Sequence, residues 1–118
     1  TASTEIYPLS LHDALPILVV LTTDETCSAS EVIIAGLRPY LPVYTVGGTT
    51  CGKPYLMYAL RFGKFELHPV GTHVYTSQGE ATYINGIKAD VKTADDLTRE
   101  LGDPQERMFK TALQLLAS

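Results

Sequence analysis

Residues 17–22 read ILVVLT, residues 28–38 read SASEVIIAGLR and residues 43–46 read VYTV, and these three segments decide the fold. The first is a short, continuous run rich in β-branched residues, which is typical of a buried strand. The second has a broad apolar face at helical spacing and ends before Pro39, which cannot continue a helix. The third is another strand. This order predicts two neighbouring parallel strands in an α/β layer.

The composition is that of one small globular domain. The chain has 118 residues, of which 45% are hydrophobic and 19% charged, so we expect one core and no overall disorder. The formal net charge is −4, and no run of lysine or arginine interrupts it, which argues against binding of nucleic acid or an anionic membrane. The longest apolar run, residues 14–21, is far shorter than a membrane span.

The second half of the chain is predicted to be rich in β-strands and to end in a helix. The candidate strands are separated by glycines and cover residues 55–62, 65–69, 73–76 and 82–84. Asp103, Pro104 and Glu106 suit the N-cap, N1 and N3 positions of a helix that begins there. The overall prediction is an α/β fold with a β-rich extension and a C-terminal helix.

The first seventeen residues do not share this pattern. They have no sustained strand or helix period, and they lack the basic and apolar regions of a signal peptide. The strings TEIY (residues 4–7) and SLHDALPI (residues 10–17) look like a translated sequencing adapter. We therefore expect residues 1–17 to be non-native and residues 18–118 to be natural sequence. An ordinary irregular N-terminal segment is the alternative.

Ser28 lies in the turn between the first strand and the helix, and this position allows two interpretations. Together with Glu31 it fits the S-x-x-E capping box, which is a structural motif. The same position also suits a nucleophile, because the first amides of a helix are free and can stabilise an oxyanion. A serine hydroxyl needs a base, and His68 and His73 lie far along the chain.

The loop after the second strand contains a lysine that could bind phosphate. Residues 47–53 read GGTTCGK and satisfy the G-x-x-x-x-G-K pattern of a phosphate-binding loop. However, Pro54 replaces the Ser or Thr that binds magnesium, and the residues that follow favour a strand rather than a helix. Nucleotide binding at residues 47–53 is therefore a remote alternative.

The same lysine, Lys53, can also serve Ser28 as a base. The carboxyl ends of neighbouring parallel strands lie at one edge of a sheet, so the residues that follow them can meet as a Ser–Lys dyad. Lysine acts as a base when burial depresses its pKa, and we expect Val46, Tyr55 and Leu56 to provide that apolar enclosure.

Two motifs at this spacing resemble the S41 family of serine peptidases, the C-terminal processing or tail-specific proteases. Residues 26–31 read TCSASE and residues 50–54 read TCGKP. In that family the first serine of S-A-S-E is the nucleophile, and the lysine of T-x-G-K is the general base. Residues 86–91 read GIKADV and resemble the family's G-I-x-P-D-V motif, with Ala89 in place of proline. The resemblance covers residues 18–118 and implies the C-terminal part of a ClpP/crotonase-like core.

The resemblance implies a serine endopeptidase that cleaves polypeptides through a Ser28–Lys53 dyad and an acyl-enzyme, with the Ala29 amide as one oxyanion donor. The resemblance also implies that the protein is exported to a periplasm or cell surface. It does not imply a metal or an organic cofactor. Many members have a glutamine four residues after the lysine that helps to orient it, where this chain has Met57. The family's other oxyanion donor lies upstream of the first strand, so we expect the chain alone to be inactive. A non-catalytic peptide- or ligand-binding module on the same fold is the alternative.

Cys27 and Cys51 flank the two candidate catalytic residues. Two cysteines are too few for a disulfide scaffold or a four-cysteine zinc site. If Ser28 and Lys53 meet, the cysteines flank the same cleft and could form a disulfide between the two loops. Two small buried thiols are the alternative.

Overall fold

The computed structural model describes residues 16–79 and 83–117. Its elements follow in the order β1 (Leu18–Thr22), α1 (Ala29–Leu37), β2 (Val43–Gly47), β3 (Tyr55–Met57), β4 (Leu60–Phe62), β5 (Phe65–Leu67), β6 (Val70–His73), β7 (Val91–Lys92) and α2 (Arg107–Leu116). Most of the segment 1–17 lies outside the described residues, so its non-native origin stays a prediction.

The central sheet has three parallel strands in the order β1-β2-β7. β1 and β2 pair in parallel, with Leu18 opposite Val43 and Thr22 opposite Gly47. The helix α1 connects them, because a parallel pair needs a crossover that returns the chain to the same end of the sheet. The predicted neighbouring parallel strands and the α/β class are therefore confirmed.

The two helices cover opposite faces of this sheet. The cluster under α1 consists of Ile34, Ala35, Val43, Tyr83 and Ile87. The cluster under α2 consists of Val46, Met108 and Ala112. Val43 and Val46 belong to different clusters because side chains alternate between faces along a strand. Neither α1 nor α2, nor any other part of residues 16–79 and 83–117, has the helical length and apolar character of a membrane span.

The last helix begins later than the sequence predicts. It starts at Arg107, and its N-cap is Glu106, whose side chain accepts hydrogen bonds from the amides of Met108 and Phe109 at 2.9 and 2.7 Å. Asp103 instead accepts from the Gln105 amide at 2.8 Å in a turn before the helix. The prediction that Asp103 is the N-cap is wrong, because the extended backbone of Glu106 ends any helical run before it.

The β-rich extension forms two separate antiparallel pairs, β3 with β6 and β4 with β5. The predicted strand 55–62 is interrupted after Met57, and the predicted strand at 73–76 is displaced to Val70–His73. Residues 83 and 84 form a turn instead of a strand, whereas residue 82 lies outside the described residues. Gly63 and Gly79 lie at turns as predicted, but the prediction for Gly71 is wrong because Gly71 lies inside β6. The glycines also did not determine which segments pair.

Candidate active site

Ser28 has an unusual backbone conformation. Its φ is 55° and its ψ is −113°, and among the described residues it is the one non-glycine residue with positive φ. Such a conformation costs about 1–3 kcal/mol and often marks a functional site. Ser28 directly precedes α1, and no oxygen of the described residues accepts a hydrogen bond from the next amide, that of Ala29. A sharp strand-to-helix turn with a free amide is the arrangement that presents the nucleophile in α/β-hydrolases.

Glu31 joins the turn that contains Ser28 (residues 23–28, the Ser28 turn) to the loop that contains Lys53 (residues 48–54, the Lys53 loop). Its side chain is fully buried. Oε2 accepts from the amides of Ser28 and Lys53 at 2.9 and 2.8 Å. Oε1 accepts from the Gly52 amide at 2.7 Å and from the Thr50 hydroxyl. Because the amides of Ser28 and Lys53 donate to the same oxygen atom, their nitrogens can be no farther apart than the two hydrogen-bond lengths combined.

These contacts keep the Glu31 carboxyl ionised. Burial by itself raises its pKa. The hydrogen bonds from the Thr50 hydroxyl and from the amides of Lys53, Gly52 and Ser28 outweigh burial and hold the pKa below its ordinary value of 4.5. The sequence predicted Glu31 only as a helix-capping residue. Its position one turn into the helix, next to the candidate nucleophile, was the signal for a larger role.

The Ser28 turn and the Lys53 loop are also linked covalently and through the backbone. A disulfide joins Cys27 to Cys51, with a Cα–Cα distance of 5.3 Å, inside the range of about 4.4–6.8 Å that a bridge requires. The Cys51 amide donates to the Thr26 carbonyl at 3.0 Å. The two segments therefore share a bridge, a backbone hydrogen bond and the Glu31 carboxylate.

The GIKADV segment supports the Lys53 loop from the other side. The Thr50 hydroxyl, which donates to Glu31, accepts from the Ile87 amide at 2.7 Å, and the Thr50 amide donates to the Ile87 carbonyl at 3.0 Å. Thr50 is buried. Thr50 therefore links residues 86–91 to Glu31 by hydrogen bonds, and Glu31 in turn is hydrogen-bonded to the Ser28 turn.

Two glycines allow this close approach. Gly52 has φ 81°, and a Cβ there would lie 2.6 Å from the Ile84 carbonyl oxygen and from the Gly86 amide nitrogen. Gly86 has φ 80°, and a Cβ there would lie 2.1 Å from the Thr50 carbonyl oxygen. Both positions therefore exclude side chains sterically and by backbone conformation.

Asp90 of the same segment directly precedes β7 and anchors it to β2. Its Oδ2 accepts from the Thr45 amide at 2.8 Å, from the Thr45 hydroxyl at 2.9 Å and from Arg38 Nη2 at 3.0 Å. Asp90 belongs to the GIKADV motif, but the sequence alone indicated no role for it. The structure assigns it the anchoring of residues 86–91 to β2, which is indirect support for the Lys53 loop.

Tyr83 lies in the core beside this network. Its side chain is fully buried, and its hydroxyl has no hydrogen-bond partner among the described residues. Burial and the nearby charge of Glu31 raise the pKa of the Tyr83 hydroxyl. The hydroxyl is thus a neutral, unpaired polar group near the ionised carboxylate.

The prediction that apolar side chains enclose Lys53 is wrong for the described residues. Lys53 is exposed, and Leu56 is 48% exposed. Val46 is buried on the α2 face of the sheet, and Tyr55 is half-buried. Met57, where many family members have a glutamine, lies in β3 and is 44% exposed. The prediction failed because strand alternation sends Val46 into the core under α2, and β3 pairs with β6 without a covering layer.

The described residues do not form a phosphate or metal site. The segment after residues 47–53 is the strand β3, whereas a phosphate-binding loop leads into a helix. The amides of Gly52 and Lys53 donate to Glu31, so they are not free for phosphate oxygens. The nucleotide-binding alternative is therefore wrong. No group of three or more His, Cys, Asp or Glu residues in the described ranges could hold a metal ion.

Comparisons with known proteins point to the same family as the motifs. No family model and no curated protein matches the chain. Among solved structures, it is similar to the crystal structure of a "Putative S41 protease" from Bacteroides fragilis NCTC 9343, with a TM-score of 0.77 and 27% sequence identity over 84% of this chain. The chain fits a fragment of the S41 family. It spans 27% of the length of that solved protein.

The S41 resemblance drawn from the sequence motifs is thus confirmed. In this chain, the backbone segments with Ser28 and Lys53 lie together at the edge of the sheet, with Glu31 between them. Cys27 and Cys51 are joined across the same place. The catalytic roles of Ser28, Lys53 and the Ala29 amide stay predictions.

Proposed function

We propose that the full-length protein is a serine endopeptidase that cleaves polypeptides through a Ser28–Lys53 dyad. The observation that carries the proposal is the pair of hydrogen bonds from the Ser28 and Lys53 amides to one oxygen of Glu31. This shared acceptor holds a strained serine and a lysine from two different loops beside each other. A purely structural helix cap would not require contacts to the Lys53 loop.

The proposed reaction begins with attack of Ser28 Oγ on the substrate carbonyl carbon, while Lys53 Nζ takes the hydroxyl proton. The Ala29 amide donates to the developing oxyanion. Lys53 then gives its proton to the leaving amine, and an acyl-enzyme forms. Lys53 then takes a proton from a water molecule, whose oxygen attacks the acyl carbon. The bond to Ser28 Oγ breaks, and Lys53 returns the proton to Oγ.

Glu31 is a positioning residue in this mechanism. Its ionised carboxylate already accepts four hydrogen bonds, so its accessible lone pairs are occupied and it takes no part in proton transfer. It fixes the backbone at Ser28 and Lys53 instead. Precise placement of reacting groups accounts for a large share of enzymatic rate enhancement.

The larger protein is proposed to have a ClpP/crotonase-like core, with part of the sheet and a second oxyanion donor supplied by other segments. We expect residues 1–118 alone to be inactive, because one missing oxyanion donor costs about 10²–10³ in rate. The Cys27–Cys51 bridge favours export to a periplasm or cell surface, where disulfides persist. The mechanism uses no metal or organic cofactor.

The test is acylation of Ser28 by a fluorophosphonate probe in the full-length protein. We expect Ser28→Ala to abolish labelling and peptide cleavage, and Lys53→Ala to slow both. The matched controls are Ser30→Ala, a second serine in the first turn of α1, and Lys64→Ala, an exposed lysine between β4 and β5; both should retain activity. Cleavage by a folded Ser28→Ala protein would exclude Ser28 as the nucleophile.

The second candidate function is a peptide- or ligand-binding module without catalysis. The exposure of Lys53 and the presence of Met57 favour it, because neither an apolar enclosure nor a glutamine orients the amine. Under this alternative, the wild-type full-length protein binds peptides but is not labelled by the probe. The same experiment therefore separates the two functions.

A further inference from the structure

An apolar groove lies beside the Ser28 turn, at the carboxyl ends of β1 and β7, where ligands commonly bind in parallel sheets. Its volume is about 620 Å³, a typical size for a ligand site. The apolar side chains that line this Leu97 groove are Leu21, Leu97, Leu101, Met108 and Phe109. Leu97 and Leu101 are 89% and 103% exposed. Exposed leucines around one concavity indicate an interaction site more strongly than leucines scattered over a surface.

The Leu97 groove is connected to the candidate active site. Thr23 and Thr26 of the Ser28 turn line it, and the Thr26 carbonyl accepts from the Cys51 amide of the Lys53 loop at 3.0 Å. An adjoining concavity of about 510 Å³ shares Thr23 and Leu97 as walls and extends to Gly48 and Thr49 of the Lys53 loop. A chain bound in the groove would therefore pass both segments.

The adjoining concavity has an acidic rim. Asp24, Glu25 and Asp95 line it, and no cation of residues 16–79 or 83–117 forms an ion pair with any of them. Arg99, which lines the Leu97 groove, is already paired with Asp96 and Asp103 at 3.8 and 3.0 Å. The rim is therefore complementary to a basic side chain.

We propose that the Leu97 groove binds the substrate polypeptide and selects segments in which an apolar residue stands next to a basic one. The apolar side chain packs against Leu97 and Leu101, and the basic one lies at Asp24, Glu25 and Asp95. The proposal rests on the proposed peptidase function, whose substrate class it specifies. Docking of another part of the full-length chain on the same leucines is the competing outcome.

The test measures peptide binding in full-length protein with Ser28→Ala, so that it does not depend on catalysis. The probe is a fluorescein-labelled peptide with one Leu-Lys pair in a Gly-Ser background, followed by anisotropy. We expect Leu97→Asp and Leu101→Asp each to raise its Kd about tenfold, as the loss of a hydrophobic pocket contact does. The matched control is Leu67→Asp, at a 57% exposed leucine in β5, which should leave the Kd unchanged.

Changes in the peptide provide the second arm. Replacing its leucine by serine should raise the Kd about tenfold, and replacing its lysine by glutamine should raise it about twofold to fivefold at low salt. The triple variant Asp24→Asn, Glu25→Gln, Asp95→Asn should remove the preference for lysine.

The proposal would be overturned if the peptide bound with equal Kd to the protein with an unchanged groove and to the Leu97→Asp and Leu101→Asp variants. So would a Leu101→Asp protein that loses thermal stability with no change in Kd, because that result assigns the leucines to an internal contact. Fluorophosphonate labelling of Ser28 in the otherwise wild-type protein is measured separately. If labelling fails, the peptidase function is wrong, whereas normal labelling with unchanged Kd values refutes the groove alone.

Discussion

Replacing Glu31 by glutamine is the most informative single change in this network. Each carboxylate oxygen accepts two hydrogen bonds: Oε1 from Thr50 and Gly52, Oε2 from Ser28 and Lys53. An amide nitrogen at the Oε2 position would face two backbone N–H donors. At the Oε1 position it would face one backbone donor and the Thr50 hydroxyl, which can reverse and accept. We therefore expect the nitrogen to take the Oε1 position and the Gly52 amide to lose its acceptor.

The cost follows from this count. A buried hydrogen bond to a charged group contributes about 1.5–3 kcal/mol, and an unsatisfied buried donor costs about 1–3 kcal/mol. The Gly52 amide loses its acceptor, the Thr50 bond is reversed, and the bonds from Ser28 and Lys53 are weakened by loss of the charge. We therefore expect Glu31→Gln to lower the free energy of unfolding by about 2–4 kcal/mol at pH 7. Glu31→Ala should cost more, because all four donors lose their acceptor. The matched control is Glu100→Gln at an exposed position, for which we expect less than about 0.5 kcal/mol.

The pH dependence of stability tests whether the charge of Glu31 stabilises the fold. The folded pKa of Glu31 lies below its ordinary value of 4.5, so its ionisation stabilises the fold above pH 4.5. That contribution is lost as the pH falls from 4.5 through the folded pKa. The stability difference between wild type and Glu31→Gln should therefore shrink below pH 4.5. The other carboxyls with lowered pKa values, Asp96, Asp103 and Glu106, are present in both proteins and cancel in the comparison.

The assay is urea unfolding of the full-length protein and both variants, followed by circular dichroism at pH 7 and at pH values below 4.5. Peptidase turnover is measured at pH 7 on the same samples. Because the Ser28 and Lys53 amides keep an acceptor in Glu31→Gln, turnover should fall less than in Glu31→Ala. The reasoning is refuted if Glu31→Gln is as stable as wild type at pH 7, or if the difference is independent of pH.

Three further variants test neighbouring contacts by the free energy of unfolding. Gly86→Ala should destabilise the protein by more than about 2 kcal/mol, because Gly86 has a positive φ and a Cβ there would lie 2.1 Å from a backbone oxygen. Its control, Gly36→Ala, has open space in α1 and should stabilise the protein by about 0.5–1 kcal/mol. Equal effects of the two substitutions would contradict the steric argument. Removing the Cys27–Cys51 bridge by double serine substitution should cost about 2–4 kcal/mol, and two free thiols in denatured, unreduced wild type would show that no bridge forms. Tyr83→Phe should be neutral or stabilise by about 1 kcal/mol, since its buried hydroxyl is unpaired; a clear loss of stability would reveal a partner for that hydroxyl.

The sequence alone determined the first strand, the helix and the second strand, together with their parallel arrangement. These features depend on local periodicity and on Pro39, whose effects reach only a few residues along the chain. The S41 resemblance was equally accessible, because S-A-S-E and T-x-G-K are short motifs at a recognisable spacing. The sequence also predicted that Ser28 and Lys53 lie at one edge of the sheet, but not that Glu31 joins them or that Lys53 is exposed.

Tertiary structure decided the contacts between segments distant in the chain. Glu31 became the common acceptor for Ser28 and Lys53 because the crossover through α1 brings residues 22 positions apart within hydrogen-bond range. The exposure of Lys53 depends on which strands pair, and the start of the last helix depends on which of two acidic residues reaches free amides. The Leu97 groove combines side chains from β1 and α2 with side chains from the loops that follow β1 and β7. Such features depend on the distances between segments, which local residue patterns do not specify.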